Sequence, residues 1–169
     1  MERLWAPWRA VYVTQTKDED KADCIFCAKL NDTKDAENFL LVRRELCFAL
    51  MNLYPYNNGH LLLSPNRHVA DITELTPDES VALFRLTQEM VELIRRVMGP
   101  HGFNIGINLG RVAGAGFPGH FHIHIVPRWD GDTSFMPVVG DVKVISEGLE
   151  QTYMKLRQGL KSMEEEAGK

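Results

Sequence analysis

The feature that most constrains this chain is a short segment in which three histidines alternate with large apolar residues. The imidazoles belong to His120, His122 and His124. Because the side chains of a strand point alternately to its two faces, the alternation predicts a strand that packs Phe121, Ile123 and Ile125 against a hydrophobic core. All three imidazoles then share the other face. We expect Pro127 to end this strand.

The histidine face must contact water, a metal ion or an anionic ligand, because buried imidazoles without partners are costly. Near neutral pH an imidazole can act as a nucleophile, a proton carrier or a metal ligand. A row of imidazolium cations would also suit phosphate groups. The alternation therefore favours a functional role over a purely structural one, and the residues alone leave the chemistry open.

Two further segments supply candidate functional groups. The glycine-rich loop at residues 110–119 leads directly into the histidines, and glycine lets backbone N–H groups approach a ligand and enclose an anion. His60 follows Gly59 where a predicted strand leaves a turn-rich segment, which is a common position for a functional side chain. We therefore include His60 among the candidate substrate-binding residues.

The chain has three cysteines, Cys24, Cys27 and Cys47. An odd number, in a chain without the apolar stretch of a signal peptide, argues against a disulfide framework. Cys24 and Cys27 have the spacing of half a zinc site, whose other ligands would come from elsewhere in the chain. The alternative is that both are reduced thiols that pack as small buried residues.

The hydrophobic patterns predict a mixture of strands and helices. Short apolar runs separated by turn residues predict strands at residues 39–42, 47–51, 60–65 and 103–109. Thr76, Pro77 and Glu79 form a capping box that begins a helix, and Gly99 ends it. A second amphipathic helix is predicted at the C-terminal end.

The length of 169 residues suits one domain with a core of its own. We divide the chain into an N-terminal arm at residues 1–23, the domain at residues 24–145 and a C-terminal helix at residues 146–169 that packs on the domain. The net charge of −4 argues against binding along a nucleic-acid backbone. No apolar run is long enough to cross a bilayer, so we expect a cytoplasmic protein without a membrane partner.

The segment His120–Val126 fits the His-x-His-x-His-x-x pattern, with x apolar, of the histidine triad (HIT) superfamily of nucleotide hydrolases and transferases. The segments Cys47–Asn52 and Gly59–Pro65 resemble the paired core strands of that family, and Asn108–Gly114 resembles its ligand loop. The Val126–Trp129 continuation and the tryptophan-rich N-terminus resemble the bacterial branch related to diadenosine tetraphosphate phosphorylases and fragile histidine triad hydrolases.

The resemblance implies an α+β fold, a five-stranded antiparallel sheet with two main helices, in which the sheet continues across a homodimer that could assemble further into a tetramer. It also implies an enzyme that cleaves dinucleoside polyphosphates at the α-phosphate. His122 would attack that phosphorus and carry the nucleotidyl group until water or inorganic phosphate releases it. Its other ring nitrogen is expected to bond a backbone carbonyl across the sheet. The alternatives are an adenosine phosphoramidase, which cleaves a P–N bond, and a non-catalytic nucleotide-binding module.

Roles for further residues follow from the same resemblance. His120 and His124 complete the catalytic triad, with His124 on the phosphate or the leaving-group side. Asn52 would bond the ribose hydroxyls, unless it serves only as a turn residue, and Asn108 would reach the phosphate or the leaving group. The backbone groups that would enclose the phosphate are those of Gly114, Ala115, Gly116 and Phe117.

The glycine-rich loop also departs from the family pattern. Relatives commonly carry Gln and then Ser or Thr after the Ala-Gly pair, where this chain has the residues Ala115 to Pro118. A side-chain donor to the leaving group is therefore missing or supplied otherwise, and the identity of the substrate stays open. Arg128 is a candidate for the distal phosphates of a long substrate. Trp129 would either stack on a second base or fill an interface.

The resemblance also completes a zinc site. Its four ligands would be Cys24, Cys27, His68 and His120. Two thiolates and two imidazoles make a closed structural site. Such a site would clamp the N-terminal segment to the sheet and orient the catalytic strand. In the alternative without zinc, His120 belongs only to the hydrogen-bond network.

Overall fold

The computed structural model describes residues 24–132 and 147–168. Its elements, in chain order, are α1 (Ile25–Asn31), β1 (Leu40–Arg43), β2 (Cys47–Met51), β3 (Leu61–Pro65), a 3-10 helix (Ile72–Glu74), α2 (Pro77–Met98), β4 (Gly102–Ile107), a second 3-10 helix (Arg111–Ala113), β5 (Ile123–Arg128) and α3 (Leu149–Ala167). The predicted N-terminal arm at residues 1–23 and the connection at residues 133–146 lie outside the described residues.

The five strands form one antiparallel sheet in the order β1-β2-β3-β5-β4. The strand that contains the last of the three histidines, β5, is therefore central and pairs with a neighbour on each side. Within it, Ile125 lies opposite Leu61 of β3 and Ile105 of β4. The predicted α+β fold with a five-stranded antiparallel sheet is confirmed, and within the described residues the two main helices, α2 and α3, are accompanied by the short helix α1.

The long helix α2 begins and ends where its sequence predicts. The Thr76 hydroxyl accepts a hydrogen bond from the Glu79 N–H at 3.2 Å, and the Glu79 carboxylate accepts one from the Thr76 N–H at 2.8 Å. Arg67 donates to the same carboxylate at 2.7 Å. At the other end Gly99 adopts the left-handed conformation with φ 58°, which a residue without Cβ reaches without strain.

The main hydrophobic core lies between one face of the sheet and the two long helices. The buried residues that the helices contribute are Leu83, Leu86, Met90, Leu93, Ile94, Tyr153, Leu156 and Leu160. α2 and α3 approach each other closely at Gly159, where an added Cβ would overlap the Val97 side chain and lie 3.1 Å from Leu93 Cδ1. Within the described residues, no helix combines the length and the apolar character needed to span a membrane.

The histidine segment differs from the predicted strand at both ends. β5 begins at Ile123, so the first two histidines precede the ladder. Their segment is held by two bonds of Phe121 instead, whose N–H donates to the Val69 carbonyl at 2.6 Å and whose carbonyl accepts from the Ser64 hydroxyl at 2.7 Å. The expectation that Pro127 ends the strand is wrong, because β5 continues through it to Arg128.

Pro127 is tolerated inside β5 because of which way its backbone faces. Its carbonyl accepts from the Asn57 side chain at 3.0 Å, on the side of β5 where β3 pairs only as far as Leu61. The nitrogen of a strand residue points to the same side as its own carbonyl. The missing N–H therefore removes no ladder bond to β4, on the opposite side.

Candidate functional site

The face of the sheet opposite α2 and α3 carries a second apolar cluster, which α1 covers. Its buried members are Cys24, Phe26, Leu40, Phe48, Leu50, Leu62 and Phe117. Alternate residues of β2 and β3 belong to this cluster and to the main core, as the period of two in a strand requires. The imidazole of His122 lies beside the cluster, because the Phe26 ring stacks on it with 5.0 Å between the ring centroids.

His122 is held in one tautomer by its own segment. Its Nδ1 lies 2.8 Å from the carbonyl oxygen of His120, and a carbonyl can only accept, so Nδ1 carries the proton. The lone pair is then on Nε2. The predicted bond to a backbone carbonyl is present, but the carbonyl belongs to the same segment and not to a neighbouring strand. Burial lowers the pKa of His122, which favours the neutral, nucleophilic ring.

His60 and His124 carry their protons on Nε2, the opposite ring nitrogen from that of His122. Nδ1 of the fully buried His60 accepts a hydrogen bond from the backbone N–H of Tyr56 at 3.0 Å, and the Asn52 amide nitrogen lies 3.3 Å from it. Nε2 of His60 therefore carries the proton and donates to Nδ1 of His124 at 3.0 Å. The neutral His124 ring consequently has its proton on Nε2. Burial, together with the nearby His124 and His122, lowers the pKa of His60 to about 3.

These two assignments put complementary groups side by side. The ring centroids of His122 and His124 are 4.9 Å apart. One ring presents a lone pair on Nε2 and its neighbour presents an N–H on Nε2. A nucleophile next to a proton donor is the arrangement that cleavage of a phosphoanhydride through a covalent intermediate requires.

His60 lies behind His124, so the contacts of His60 are with the row of three histidines and with the turn that precedes His60. Tyr56, which sequence reasoning missed, reinforces this arrangement. Its ring is almost parallel to that of His124, with 14° between the planes and 5.8 Å between the centroids, and it also lies over His60 at 4.7 Å. The turn-rich segment before His60 was the only signal in the sequence for this contribution.

Asn52 and Asn108 organise the two loops beside the imidazoles. Asn52 directly follows β2, and its side-chain oxygen accepts from the Tyr54 N–H at 2.9 Å. Asn108 follows β4, and its amide nitrogen lies 3.4 Å from the Gly114 carbonyl. Asn52 thus stabilises a turn and also contacts His60, and its expected bond to the ribose hydroxyls stays a prediction.

The glycine-rich loop contains a 3-10 turn followed by Gly114 in the left-handed region at φ 91°. Ala115 and Phe117 are buried. The Phe117 ring meets Phe26 edge-on, with centroids 5.7 Å apart and 71° between the planes. The part of the loop that departs from the family pattern therefore contributes an apolar side chain to the cluster next to His122.

Arg128 and Trp129 are bound into the turn that follows β5. Two nitrogens of the Arg128 guanidinium donate to the Asp132 carboxylate at 2.6 and 2.8 Å, and a third donates to the Asn104 side chain at 2.7 Å. The Asp132 carboxylate also accepts from the Trp129 N–H at 3.0 Å and from the Asn57 amide at 2.8 Å. These bonds join the end of β5 to the loop that carries Tyr56.

The structure brings together the four predicted metal ligands. Their ligand atoms all lie within 4.8 Å of one another. Nδ1 of His120 is 3.3 Å from Cys24 Sγ and 3.6 Å from Cys27 Sγ, and Nδ1 of His68 is 3.4 Å from Cys27 Sγ. Tetrahedral zinc has sulfur ligands at about 2.3 Å and nitrogen ligands at about 2.0 Å, which separates sulfur from nitrogen by about 3.5 Å. The donor set and its spacing therefore fit a tetrahedral ion.

The surroundings of the cluster are consistent with metal binding. Nε2 of His120 donates to the Pro65 carbonyl at 2.9 Å, which leaves the Nδ1 lone pair directed at the sulfurs. Burial raises the pKa of the Cys24 thiol to about 11 and lowers the pKa of His120 to about 4. A bound cation would offset the cost of forming the thiolate in this buried position.

Comparison with known proteins agrees with this geometry. The HIT domain family matches residues 33–131. An AP-4-A phosphorylase of Mycobacterium tuberculosis is 38% identical over 157 residues, which are 90% of this chain and 80% of the relative. An asymmetrical bis(5'-nucleosyl)-tetraphosphatase of Schizosaccharomyces pombe is 39% identical over 92 residues, 54% of this chain and 50% of that protein.

A solved structure shares the fold and has zinc bound. A zinc-bound histidine triad family protein of Mycobacterium smegmatis superposes with a TM-score of 0.70 at 26% identity, covering 86% of this chain and 99% of the other. The sheet, the paired imidazoles and the cysteine–histidine cluster define a protein built around a row of three histidines. The chain belongs to the HIT domain family.

Proposed function

We propose that this enzyme cleaves dinucleoside polyphosphates of the diadenosine tetraphosphate type at the α-phosphate through a nucleotidyl-His122 intermediate. The observation that carries the proposal is the bond from Nδ1 of His122 to the His120 carbonyl, which leaves the Nε2 lone pair beside the N–H of His124. The similarity to an AP-4-A phosphorylase over 90% of the chain supports this choice of substrate.

The reaction has two displacement steps. In the first, Nε2 of His122 attacks the α-phosphorus, a P–N bond forms and the P–O bond to the remaining polyphosphate breaks. The leaving oxygen keeps the electron pair of the broken bond and departs as an anion, and the Nε2–H of His124 stabilises its developing charge by donating a hydrogen bond to it. In the second, an acceptor oxygen attacks the same phosphorus, the P–N bond breaks with its electron pair returning to Nε2 of His122, and a proton carried by the acceptor is released to solvent.

The neighbours of the two rings have supporting roles in this proposal. His60 keeps the His124 proton on Nε2, because its own Nδ1 is occupied by the Tyr56 N–H. Asn52 would bond the ribose hydroxyls with its remaining donor and acceptor capacity. Asn108 and the backbone of residues 114–117 would contact the phosphoryl oxygens.

Arg128 and Trp129 are the proposed contacts for the distal part of a long substrate. The Arg128 guanidinium already bonds Asp132 and Asn104. A distal phosphate would therefore share the cation with Asp132, so replacing Arg128 should weaken binding less than replacing Asn52. Comparing KM for the Arg128→Met and Asn52→Ala variants tests this ranking.

Product analysis tests the reaction and identifies the acceptor. Diadenosine tetraphosphate should yield ADP and ATP if phosphate is the acceptor, and AMP and ATP if it is water. The similarity to a phosphorylase supports phosphate. His122→Ala should lower the rate by more than about 10³-fold. His101→Ala is the matched control, because His101 is exposed and pairs with Asp130 away from the row.

Three results would contradict the proposal. Full activity of the His122→Ala variant would remove the nucleotidyl-histidine intermediate. A much higher kcat/KM for an adenosine monophosphoramidate than for diadenosine tetraphosphate would favour the phosphoramidase alternative. Tight AMP binding without turnover of either substrate would favour a nucleotide-binding module.

We also propose that the cluster of Cys24, Cys27, His68 and His120 binds one structural zinc ion. When bound, the ion would stabilise the two thiolates and fix α1 on the sheet. The sulfur–nitrogen distances of 3.3 to 3.6 Å support this assignment. Metal analysis of protein purified without chelator should give about one zinc per chain. Cys27→Ser should reduce that value, whereas Cys47→Ser should not.

A homodimer is proposed from the edge of the sheet. Among residues 24–132 and 147–168, β4 has a neighbour only on the β5 side, and its Ile105 and Ile107 side chains are exposed. Such an edge can pair with a second copy and continue the sheet. Sedimentation should show a dimer, or a tetramer built from it, and Ile105→Lys should shift the protein to monomer. A wild-type monomer at micromolar concentration would refute this interface.

A further inference from the structure

We propose that Phe26 is a positioning residue that holds the imidazole of His122 in its attacking orientation. The inference rests on the proposed role of His122 as nucleophile. It gives the short helix α1 a function in the reaction, in addition to covering an apolar cluster.

The first observation is the contact between the rings. Phe26 stacks on His122 with 29° between the ring planes and 5.0 Å between the centroids. The bond from Nδ1 of His122 to the His120 carbonyl fixes one edge of the imidazole. A hydrogen bond at one edge leaves the tilt of the ring about that bond adjustable. A planar group against its face removes this freedom and so fixes the direction of the Nε2 lone pair.

The second observation is that neighbouring rings constrain Phe26 itself. Phe26 is 1% exposed. Phe117 meets it edge-on, with a centroid distance of 5.7 Å. The imidazole of His120 lies against it at 5.2 Å and 46°. Phe26 therefore cannot slide away from His122 unless α1 moves.

The third observation is that α1 is anchored at both ends. At its start, the N-cap residue Cys24 has its sulfur 3.3 Å from Nδ1 of His120. At its end, the Arg43 guanidinium donates to the carbonyls of Leu30 and Asp32 at 2.5 and 2.6 Å. Asp35 accepts from the same guanidinium at 2.6 Å. These contacts fix the position of α1, and therefore that of Phe26, relative to the sheet.

The placement of Phe26 in the sequence connects the metal cluster to the nucleophile. Phe26 lies between Cys24 and Cys27, on the same helical turn that presents both sulfurs to His120. Its ring touches His120 and His122. A disturbance of either end of α1 should therefore reach the chemistry through this ring.

The test compares Phe26→Leu with Phe48→Leu. Both substitutions remove a buried ring from the same cluster, and among the described residues Phe48 makes no ring contact with a histidine. Phe26→Leu should lower kcat by about 10- to 100-fold, as expected for a misoriented nucleophile, and change KM by less than about threefold. Phe48→Leu should leave kcat within about threefold of wild type while losing comparable stability. Equal losses of kcat in the two variants would overturn the proposal.

A second measurement needs no substrate. In ¹⁵N-histidine-labelled protein, His122 of the wild type and of Phe48→Leu should show a single tautomer protonated at Nδ1. Phe26→Leu should keep this tautomer but show increased motion of the His122 ring in ¹⁵N relaxation, because the ring can then tilt about its bond to the His120 carbonyl. Ring motion in Phe26→Leu that is unchanged from the wild type would refute the positioning role. If the wild type cleaves no dinucleoside polyphosphate, the proposed function fails, yet this experiment still decides the role of Phe26.

A double-mutant cycle tests the anchoring of α1. Arg43→Gln should lower kcat by about three- to tenfold in the wild-type background, because the end of α1 loosens. In the Phe26→Leu background it should lower kcat by less than twofold, since the ring that transmits the movement is absent. Additive losses would show that Arg43 acts by another route and would count against the proposal.

Discussion

The hydrogen bond from the Ser64 hydroxyl to the Phe121 carbonyl should contribute more to the free energy of unfolding than a hydrogen bond from an exposed hydroxyl does. Ser64 is fully buried in β3, and its hydroxyl donates to the Phe121 carbonyl at 2.7 Å. Phe121 lies between the first two histidines, where the segment has not yet joined the ladder of β5. Ser64→Ala should therefore leave a buried carbonyl without its donor.

The expected loss follows from that geometry. An unsatisfied buried carbonyl costs about 1–3 kcal/mol of unfolding free energy. For a domain of this size a loss of about 2 kcal/mol lowers Tm by about 4–8 °C. Urea denaturation monitored by circular dichroism gives the free energy, and a thermal scan gives Tm.

Ser80→Ala is the matched control for this prediction. The Ser80 hydroxyl also donates to a carbonyl, that of Thr76 at 3.0 Å, but the residue is exposed and water can replace it. Its substitution should change the unfolding free energy by less than about 0.5 kcal/mol. Equal losses in the two serine variants would refute the reasoning, because burial would then not set the cost.

Two other predictions concern the long helices. Gly159→Ala should destabilise the protein by about 1–3 kcal/mol in urea denaturation, because the added methyl overlaps Val97, whereas Gly148→Ala, with its nearest atom 3.9 Å away, should not. The pKa of Glu79 is lowered to about 2, chiefly by its hydrogen bonds to Arg67, so its stabilising contribution is present above the unfolded-state pKa and is lost as the pH falls toward 2. The stability difference between wild type and Glu79→Gln should accordingly be largest at pH 6–7 and shrink below about pH 4, and a difference independent of pH would contradict this assignment.

Much of the fold could be predicted because the relevant signals are local. Thr76 and Glu79 cap α2 through residues only three apart, and the apolar runs of β1 to β3 are set off by turn residues. α1 escaped prediction because it has only seven residues, between two polar segments, and depends on contacts across the sheet. Pro127 was misjudged because its tolerance depends on which side of β5 its backbone faces.

The candidate site was predictable in its composition but not in its internal order. The alternation identified the imidazoles, and the resemblance supplied His68 as a possible partner of the cysteines. Nothing local could show that Phe26 lies on His122, because 96 residues separate them along the chain. The contribution of Tyr56 was hidden for a similar reason, since it depends on a backbone N–H that reaches the His60 ring.

The contacts of His120 indicate that the three histidines have different roles. One ring nitrogen faces the cysteine sulfurs and the other is bonded to the Pro65 carbonyl, so neither is available to exchange a proton. We infer that His120 has a structural role and that His122 and His124 form the reaction centre. Added imidazole should then restore activity to a variant in which His122 is truncated, because a free imidazole can take the place of the reacting ring. It should not restore activity to a variant in which His120 is truncated, because a free imidazole cannot join the histidine segment to the cysteines and the Pro65 carbonyl.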